Sequence, residues 1–445
     1  MEFQEYLNKS VQCGCGKTHR CGIEDVVIEP GAVERLPDLL RKHAYEHICI
    51  VEDENTKKVL GDRVEELVRG TGCEVTRIVL PADHLLPDET AIGSVLTAVP
   101  ACCDLLISVG SGTLNDLGRF VSYKMHIPFF IVGTAPSMDG FASNVAAMVT
   151  NRAKVTYPAQ EPRVIVGDVK VMKEAPMALI AAGVGDVLGK CVCLTDWRIS
   201  SLITGEYYCE SVAELVGQSV EKVKHAAQTL SERRDEQCVE ELMEGLVLSG
   251  IAMSYIGNSR PASGSEHHLS HFWEMYFLQN GEHGAYHGTK VGIGTVLCLK
   301  MYEWLGQEDI GELISRDYQF DRAAWERSIK EIYKTAAPAV TEIENETGKN
   351  SVENRQARMK KLAEHWNEIR AMIARLPKAE EIKALLEGLG APVFPYQIDV
   401  TDEMVINSCV FAKELRNRTG LLQVLHDLGL DEAYGKRLLD EFIGK

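Results

Sequence analysis

Positive charge is what this chain is shortest of. Its 445 residues carry 47 Lys and Arg against 65 Asp and Glu, a formal net charge of −18. A field of that sign repels phosphodiester backbones and anionic headgroups, which excludes nucleic-acid and membrane-surface binding as general functions. No apolar run reaches the length of a bilayer span, and the opening MEFQEYLNKS has neither an apolar h-region nor a cleavage site. There is no internal repeat and no low-complexity linker. A disulfide framework is absent too: the 13 cysteines are odd in number and scattered from Cys13 to Cys409. Free thiols in a reducing cytoplasm fit that pattern. Cys13, Cys15, His19 and Cys21 stand close together, but C-x-C-x₃-H-x-C lacks the C-x₂-C pairs usual in zinc sites. The simpler expectation is an edge hairpin with small buried thiols, and a zinc site is the alternative.

At 45% hydrophobic and 25% charged, the chain can bury an ordinary globular core. Its length exceeds what one core comfortably serves, so two domains are expected, divided as 1–173 and 174–445. In the first, short apolar runs alternate with helix-like segments. HICIVED (47–53), EVTRIVL (74–80), DLLISVG (104–110), PFFIVGTA (128–135) and RVIVGD (163–168) read as strands, and 56–70 and 91–101 as helices. That alternation predicts an α/β fold with a parallel sheet covered on both faces. Beyond about residue 174 the period is helical, in 175–203, 220–256, 323–340 and 353–377. An all-α second domain follows, with the active site in the cleft between the two.

Three constellations carry chemistry. Gly110-Ser111-Gly112-Thr113-Leu114-Asn115-Asp116 follows a strand and opens a helix-like stretch. Glycines there let a pyrophosphate approach the backbone, and the helix N-terminus offers free N–H groups. The third glycine of G-x-G-x-x-G is missing, so a tight turn capped by Asn115 or Asp116 explains the motif equally well. Asp53 ends the strand 47–53, where doubly wound folds place a ribose-binding carboxylate, though a plain turn acid also fits. Next, the stretch from Thr134 to Asn144 (TAPSMDGFASN) lies at the expected carboxyl edge of the sheet. It is rich in hydroxyls and amides, as a ligand loop or an Asx/ST turn would be. Third, Asp186 sits in GVGDVLGK, and five of the 13 histidines fall between 267 and 287. His267 and His271 are spaced i, i+4 and share a helix face. Two imidazoles and a carboxylate would make a three-ligand metal site with open positions; crowded capping or exposed histidines are the bland reading.

In order, G-x-G-x-x-x-D, T-A-P-S-x-D-G, G-x-G-D, E-H-x-x-x-H and Y-H-G resemble the iron-containing alcohol dehydrogenase and dehydroquinate synthase-like superfamily. SRPASGSEHHLSHFWEM with TAPSMDGFAS is most similar to the bacterial sn-glycerol-1-phosphate dehydrogenases. The resemblance covers about residues 20 to 300. It implies Asp186, His267 and His287 as ligands of one divalent metal (zinc, nickel or iron), with His267 chosen over His268 by the H-x-x-x-H pattern. It implies His271 and Asp139, together with Asp186, as substrate contacts. Asp53, Gly110, Gly112, Thr113, Leu114, Asn115, Asp116, Thr134, Ser137 and Ser143 fall to NAD or NADP. Asp53 would repel a 2′-phosphate and favours NAD.

The implied reaction interconverts dihydroxyacetone phosphate and sn-glycerol 1-phosphate by hydride transfer at C2, in a cytoplasmic homodimer. Lys290 and Arg260 are candidates for the phosphate. Alternatives are a polyol dehydrogenase acting on an unphosphorylated substrate such as glycerol, a dehydroquinate-synthase-like cyclase, and a non-catalytic binder of nucleotide and metal. The cyclases typically place Glu where this chain has Asp186.

Overall fold

The structure, a computed structural model, describes residues 3–444, with Gln4 described by its backbone only. Two short strands, β1 (Lys9–Gln12) and β2 (Thr18–Cys21), form an antiparallel hairpin. β3 (Asp25–Glu29), β4 (His47–Asp53), β5 (Glu74–Leu80), β6 (Leu105–Gly110) and β7 (Phe129–Gly133) follow. A second hairpin pairs β8 (Val145–Thr150) with β9 (Ala153–Pro158), and β10 is Val164–Asp168. Six strands make one parallel sheet, ordered β3-β10-β7-β6-β4-β5. The five strands expected from apolar runs are all present within two residues of their expected ends. β3 is an additional edge strand, half-buried and too short to stand out; β8 is an apolar run weakened as a strand signal by its two alanines, and β9 alternates polar and apolar residues.

Alternate residues of each strand enter two cores. Ile48, Ile50, Leu105, Ile107 and Val109 face one side and pack with the helices Leu36–Arg41 and Asp62–Arg69. Cys49, Val51, Leu106 and Ile131 face the other side, where the core continues into the helices after residue 176. From β4 the chain crosses outward to β5, then returns to the opposite flank of β4 as β6. The crevice between the carboxyl ends of β4 and β6 is therefore a topological switch point, where open α/β sheets bind ligands. Val51 pairs with Ser108, so Asp53 and Gly110, two residues further along each strand, stand side by side at its mouth.

Among the described residues, every regular element after Asp168 is helical. One expectation needs correction. Met177–Thr204 is long and apolar enough to cross a membrane by length and composition, yet 72% of its apolar window is buried inside the protein. It serves as a core helix, and Gly189 divides it into Met177–Leu188 and Lys190–Thr204.

Candidate active site

The helix Gly112–Met125 begins at Ser111, whose Oγ accepts from the Gly112 N–H at 2.7 Å. The first-turn N–H groups of Thr113 and Leu114 have no intrahelical acceptor. A Cβ at Gly112 would meet only Met138 Cγ at 3.5 Å, so this face of the turn is open to the cleft. At Gly110 a Cβ would lie 2.3 Å from Leu114 Cδ1, so that glycine is needed for internal packing. The Leu114 side chain is core, leaving only its backbone for a ligand. Ser137 shares a 2.6 Å hydrogen bond with Ser111 across the turn. Asn115 donates to the Gly140 carbonyl at 3.3 Å, while its buried Oδ1 has no partner. The Thr134 N–H donates to the Gly110 carbonyl, and Ser143 Oγ accepts from Val145 N–H. The Asp53 carboxylate caps a helix through Asn55 and Thr56 N–H. The turn has the open glycine face and free amides that a dinucleotide pyrophosphate requires.

Gly112, Thr113, Asp116, Ser137, Asp139 and Ser143 line a cavity of about 520 Å³, together with His267, His271 and His287. Asp53, Gly110, Leu114, Asn115 and Thr134 do not line it. Burial pushes the Asp116 carboxyl up to about 6.

Opposite the turn, Asp186, His267 and His287 bring one ligand atom each within 4.8 Å of the others. Asp186 is fully buried on the helix Met177–Leu188, His267 lies in Ser265–Asn280, and His287 opens His287–Leu305. Glycine makes this approach possible. A Cβ at Gly185 would lie 2.6 Å from the Gly288 carbonyl oxygen, and one at Gly288 only 2.0 Å from that of Ala182. Gly185→Ala should part the two helices and weaken metal binding on the order of tenfold; chelator competition measures this, and wild-type affinity would contradict it.

Each of these two imidazoles is oriented by an acid. His267 Nδ1–H donates to Glu266 at 2.6 Å and His287 Nδ1–H to Glu274 at 3.1 Å. A carboxylate only accepts, so Nε2 of each ring is the free lone pair. His267 Nε2 stands 3.5 Å from Asp186 Oδ1. Burial lowers the His267 imidazole, yet its bonds to Asp186 and Glu266 leave it raised, marking a place that favours a cation. Burial lowers His287, and lowers His271 strongly, keeping both neutral. Burial would raise Asp186, but the Lys190 ammonium and His267 hold it well below the usual carboxylate range. A donor set of one carboxylate and two imidazoles, with His267 yielding its extra proton to the incoming cation, fits a borderline divalent metal.

His268 is buried away from this group, its Nε2 unpartnered. Asp139 lines the cavity, but its carboxylate is held by Lys190 at 2.7 Å and by Ser249 at 3.1 Å, and its N–H donates to Asp186. His271 donates to Glu274 at 3.0 Å. Lys290 reaches the cavity wall and pairs with Glu274 at 3.2 Å. Arg260 points elsewhere, bound to Glu206 and the Thr419 carbonyl.

The sequence reading missed Glu266, Glu274, Lys190, Lys154, Arg119 and Arg416. Three had a local signal: Glu266 adjoins His267, Glu274 is three residues past His271, and Lys190 four past Asp186. Arg119 lies three residues past Asp116 on the same helix, and Lys154 and Arg416 come from distant segments. Lys154, on β9, pairs with Glu274 at 2.7 Å. Arg416 lines the cavity, donates to Thr156 and has no ion pair among the described residues.

The Arg416 segment is anchored by Lys349, which donates to the Arg416 carbonyl at 3.1 Å and pairs with buried Glu414. Burial would raise Glu414, but Lys413 and Lys349 hold its carboxyl at about 2, against an ordinary 4.5. A depressed carboxylate stabilises the fold fully above its unfolded value and loses that contribution as pH falls toward 2. Glu414→Gln should therefore flatten the acid limb of a Tm-against-pH curve; an unaltered slope there would contradict this.

Fold and site together define a metal-dependent oxidoreductase that uses a nicotinamide dinucleotide. The iron-containing alcohol dehydrogenase family profile matches residues 27–176. The chain is 34% identical to the NAD(P)+ glycerol-1-phosphate dehydrogenase of Geobacillus stearothermophilus, over 96% of this chain and 98% of that one. With the enzyme of the same name from Halalkalibacterium halodurans it shares 31%, over 94% and 96%. In fold it is similar to the glycerol dehydrogenase of Schizosaccharomyces pombe (TM-score 0.61, 15% identity, 94% and 91% covered). It is also similar to the NADH-dependent butanol dehydrogenase A of Thermotoga maritima (TM-score 0.59, 14% identity, 94% and 99% covered). The chain belongs to the family of NAD(P)-dependent glycerol-1-phosphate dehydrogenases.

Proposed function

We propose that this enzyme reduces dihydroxyacetone phosphate to sn-glycerol 1-phosphate, reversibly, in the cleft between its 1–173 and 174–445 portions. The observation that carries this reading is a wall of cations, Lys154, Lys290 and Arg416, in the same cavity as His267 and His287, with buried Asp186 within 4.8 Å of both imidazoles just behind the wall. In a chain of net charge −18, such local positive charge is what a phosphorylated substrate needs. Glu274 offsets only part of it, since Arg416 has no acid partner among the described residues.

A divalent metal held by Asp186, His267 and His287 would polarise the substrate carbonyl as a Lewis acid, while the bound nicotinamide supplies or accepts the hydride. The chain's own groups do the rest. The amides of the 110–116 turn hold the dinucleotide. Lys190 holds the Asp139 and Asp186 carboxylates in place. Neutral His271, its Nδ1–H committed to Glu274, has Nε2 free to pass a proton to and from the C2 oxygen through water. The homodimer and cytoplasmic location implied by the family resemblance belong to the same proposal.

Activity with dihydroxyacetone phosphate should exceed that with dihydroxyacetone by at least tenfold in kcat/KM. Arg416→Ala should shrink that ratio, leaving the unphosphorylated substrate little changed. Equal kcat/KM for the two ketones would instead identify a polyol dehydrogenase.

A further inference from the structure

Remote from the cleft chemistry, a second group of metal-ligating side chains meets at the N-terminal hairpin. Cys13 and Cys15 lie in the turn between β1 and β2, His19 lies on β2, and Cys209 immediately precedes the helix Glu210–Glu232. Their ligand atoms all lie within 4.8 Å of one another. Cys13 Sγ is 3.6 Å from Cys209 Sγ, and His19 Nε2 is 3.4 Å from the sulfurs of both Cys15 and Cys209. A tetrahedral zinc ion, with bonds of about 2.3 Å to sulfur and 2.0 Å to nitrogen, sets ligand–ligand edges of roughly 3.5–3.8 Å. The observed separations are close to those edges.

The surroundings are arranged as for a ligand set. His19 Nδ1 lies 2.9 Å from the Tyr255 carbonyl oxygen, which can only accept. The ring proton therefore sits on Nδ1, and the Nε2 lone pair faces the sulfurs, the orientation that metal-binding histidines are given by an outer partner. The ring is also stacked on Tyr255, centroids 5.4 Å apart. The Tyr207 hydroxyl is 3.1 Å from Cys15 Sγ, placed to donate to a thiolate. Lys17 holds its ammonium 3.5 Å from the centre of the Tyr207 ring, adding positive charge at the rim. Gly16, at φ 84°, closes the turn through its N–H to the Cys13 carbonyl. Cys21, which the sequence spacing grouped with the others, is buried in the main core and takes no part. The fourth ligand comes from 190 residues beyond His19, so no local spacing rule could supply it.

We infer that Cys13, Cys15, His19 and Cys209 bind one structural zinc ion, which fastens the N-terminal hairpin to the helical part of the molecule. Four protein ligands leave no open position for a substrate. On binding, three thiols lose their protons and form three sulfur–zinc bonds, and neutral His19 gives the fourth bond through Nε2. No oxidation state changes. The complex carries one net negative charge, which Lys17 and the Tyr207 hydroxyl partly offset.

The test is metal analysis of the full-length enzyme after dialysis against EDTA. One zinc per chain should remain after the catalytic metal has been stripped, and it should be released when a mercurial titrates the thiols. Cys15→Ser and Cys209→Ser should each lower zinc by one equivalent per chain, with the metal at Asp186 retained. Cobalt(II) substitution gives an independent readout. A thiolate-to-cobalt charge-transfer band should appear in the wild type and in Asp186→Asn, and be absent in Cys15→Ser. If Cys209→Ser does not fold, Cys15→Ser in the partly exposed turn and the wild-type cobalt spectrum still decide. Unchanged zinc in the soluble cysteine variants, no thiolate–cobalt band in the wild type, or a Cys13–Cys209 disulfide in the mass spectrum of native protein would overturn the inference.

Discussion

Asp186→Asn should lower kcat/KM on the order of a thousandfold, the scale of losing several kcal/mol of Lewis-acid stabilisation. The substitution preserves shape, so the effect is electrostatic. An amide oxygen is a poorer ligand than a carboxylate, and the cation-favouring gap beside His267 Nε2 loses its negative wall. Lys190, fully buried, would keep only Asp139 as a charged partner. Metal content should fall with activity, and His287→Ala should behave alike, since it removes a second ligand and leaves Glu274 without that donor. The checks are steady-state kinetics at saturating metal with metal analysis of the same samples. Wild-type turnover by either variant would remove the metal from the mechanism altogether.

The second large effect is on the fold of the cleft. Arg119→Ala should cost about 3 kcal/mol of stability, because several buried carbonyls lose their donor at once. Arg119 is fully buried in the helix Gly112–Met125. It donates to the carbonyls of Ser143 at 2.9 Å and Val145 at 2.8 Å, and also to those of Gly140 and Phe141. One side chain thus ties the helix that opens at the glycine turn to the loop that carries Asp139 and Ser143. Removing a buried cation relieves some desolvation, which keeps the figure below the sum of the individual bonds. Chemical denaturation measures the loss, and KM for the dinucleotide should rise with it. Arg119→Lys restores one or two donors and should fall between. Full wild-type stability in Arg119→Ala would show that the loop holds its shape without the clamp.

Much of the fold and part of the site were legible from residue order. Strands buried on both faces are continuous apolar runs, so β4, β6, β7 and β10 could be read directly; edge strand β5 showed itself by alternation, and helical periodicity marked the second half. The glycine turn at 110–116, Asp186 and the histidines of 267–287 declare themselves by local spacing, because each motif is completed within one turn or one helix face. Edge strand β3 and hairpin β8–β9 did not, since β3 has only three apolar residues between acids, β8 is rich in alanine, a poor strand former, and β9 is short and alternating. Met177–Thr204 shows the converse: composition alone cannot tell a core helix from a membrane span, because both are apolar all round.

Tertiary structure decided which groups meet. Only helix packing at Gly185 and Gly288 brings Asp186 to His287, a hundred residues later, and only then does Glu274 orient two imidazoles while Lys154 and Arg416 arrive from separate segments. The same holds at the hairpin, where Cys209 takes the place that spacing assigned to Cys21. Local conformation follows from neighbours in sequence; coordination, charge balance and proton positions depend on distances in space, and those exist only once the cores have closed.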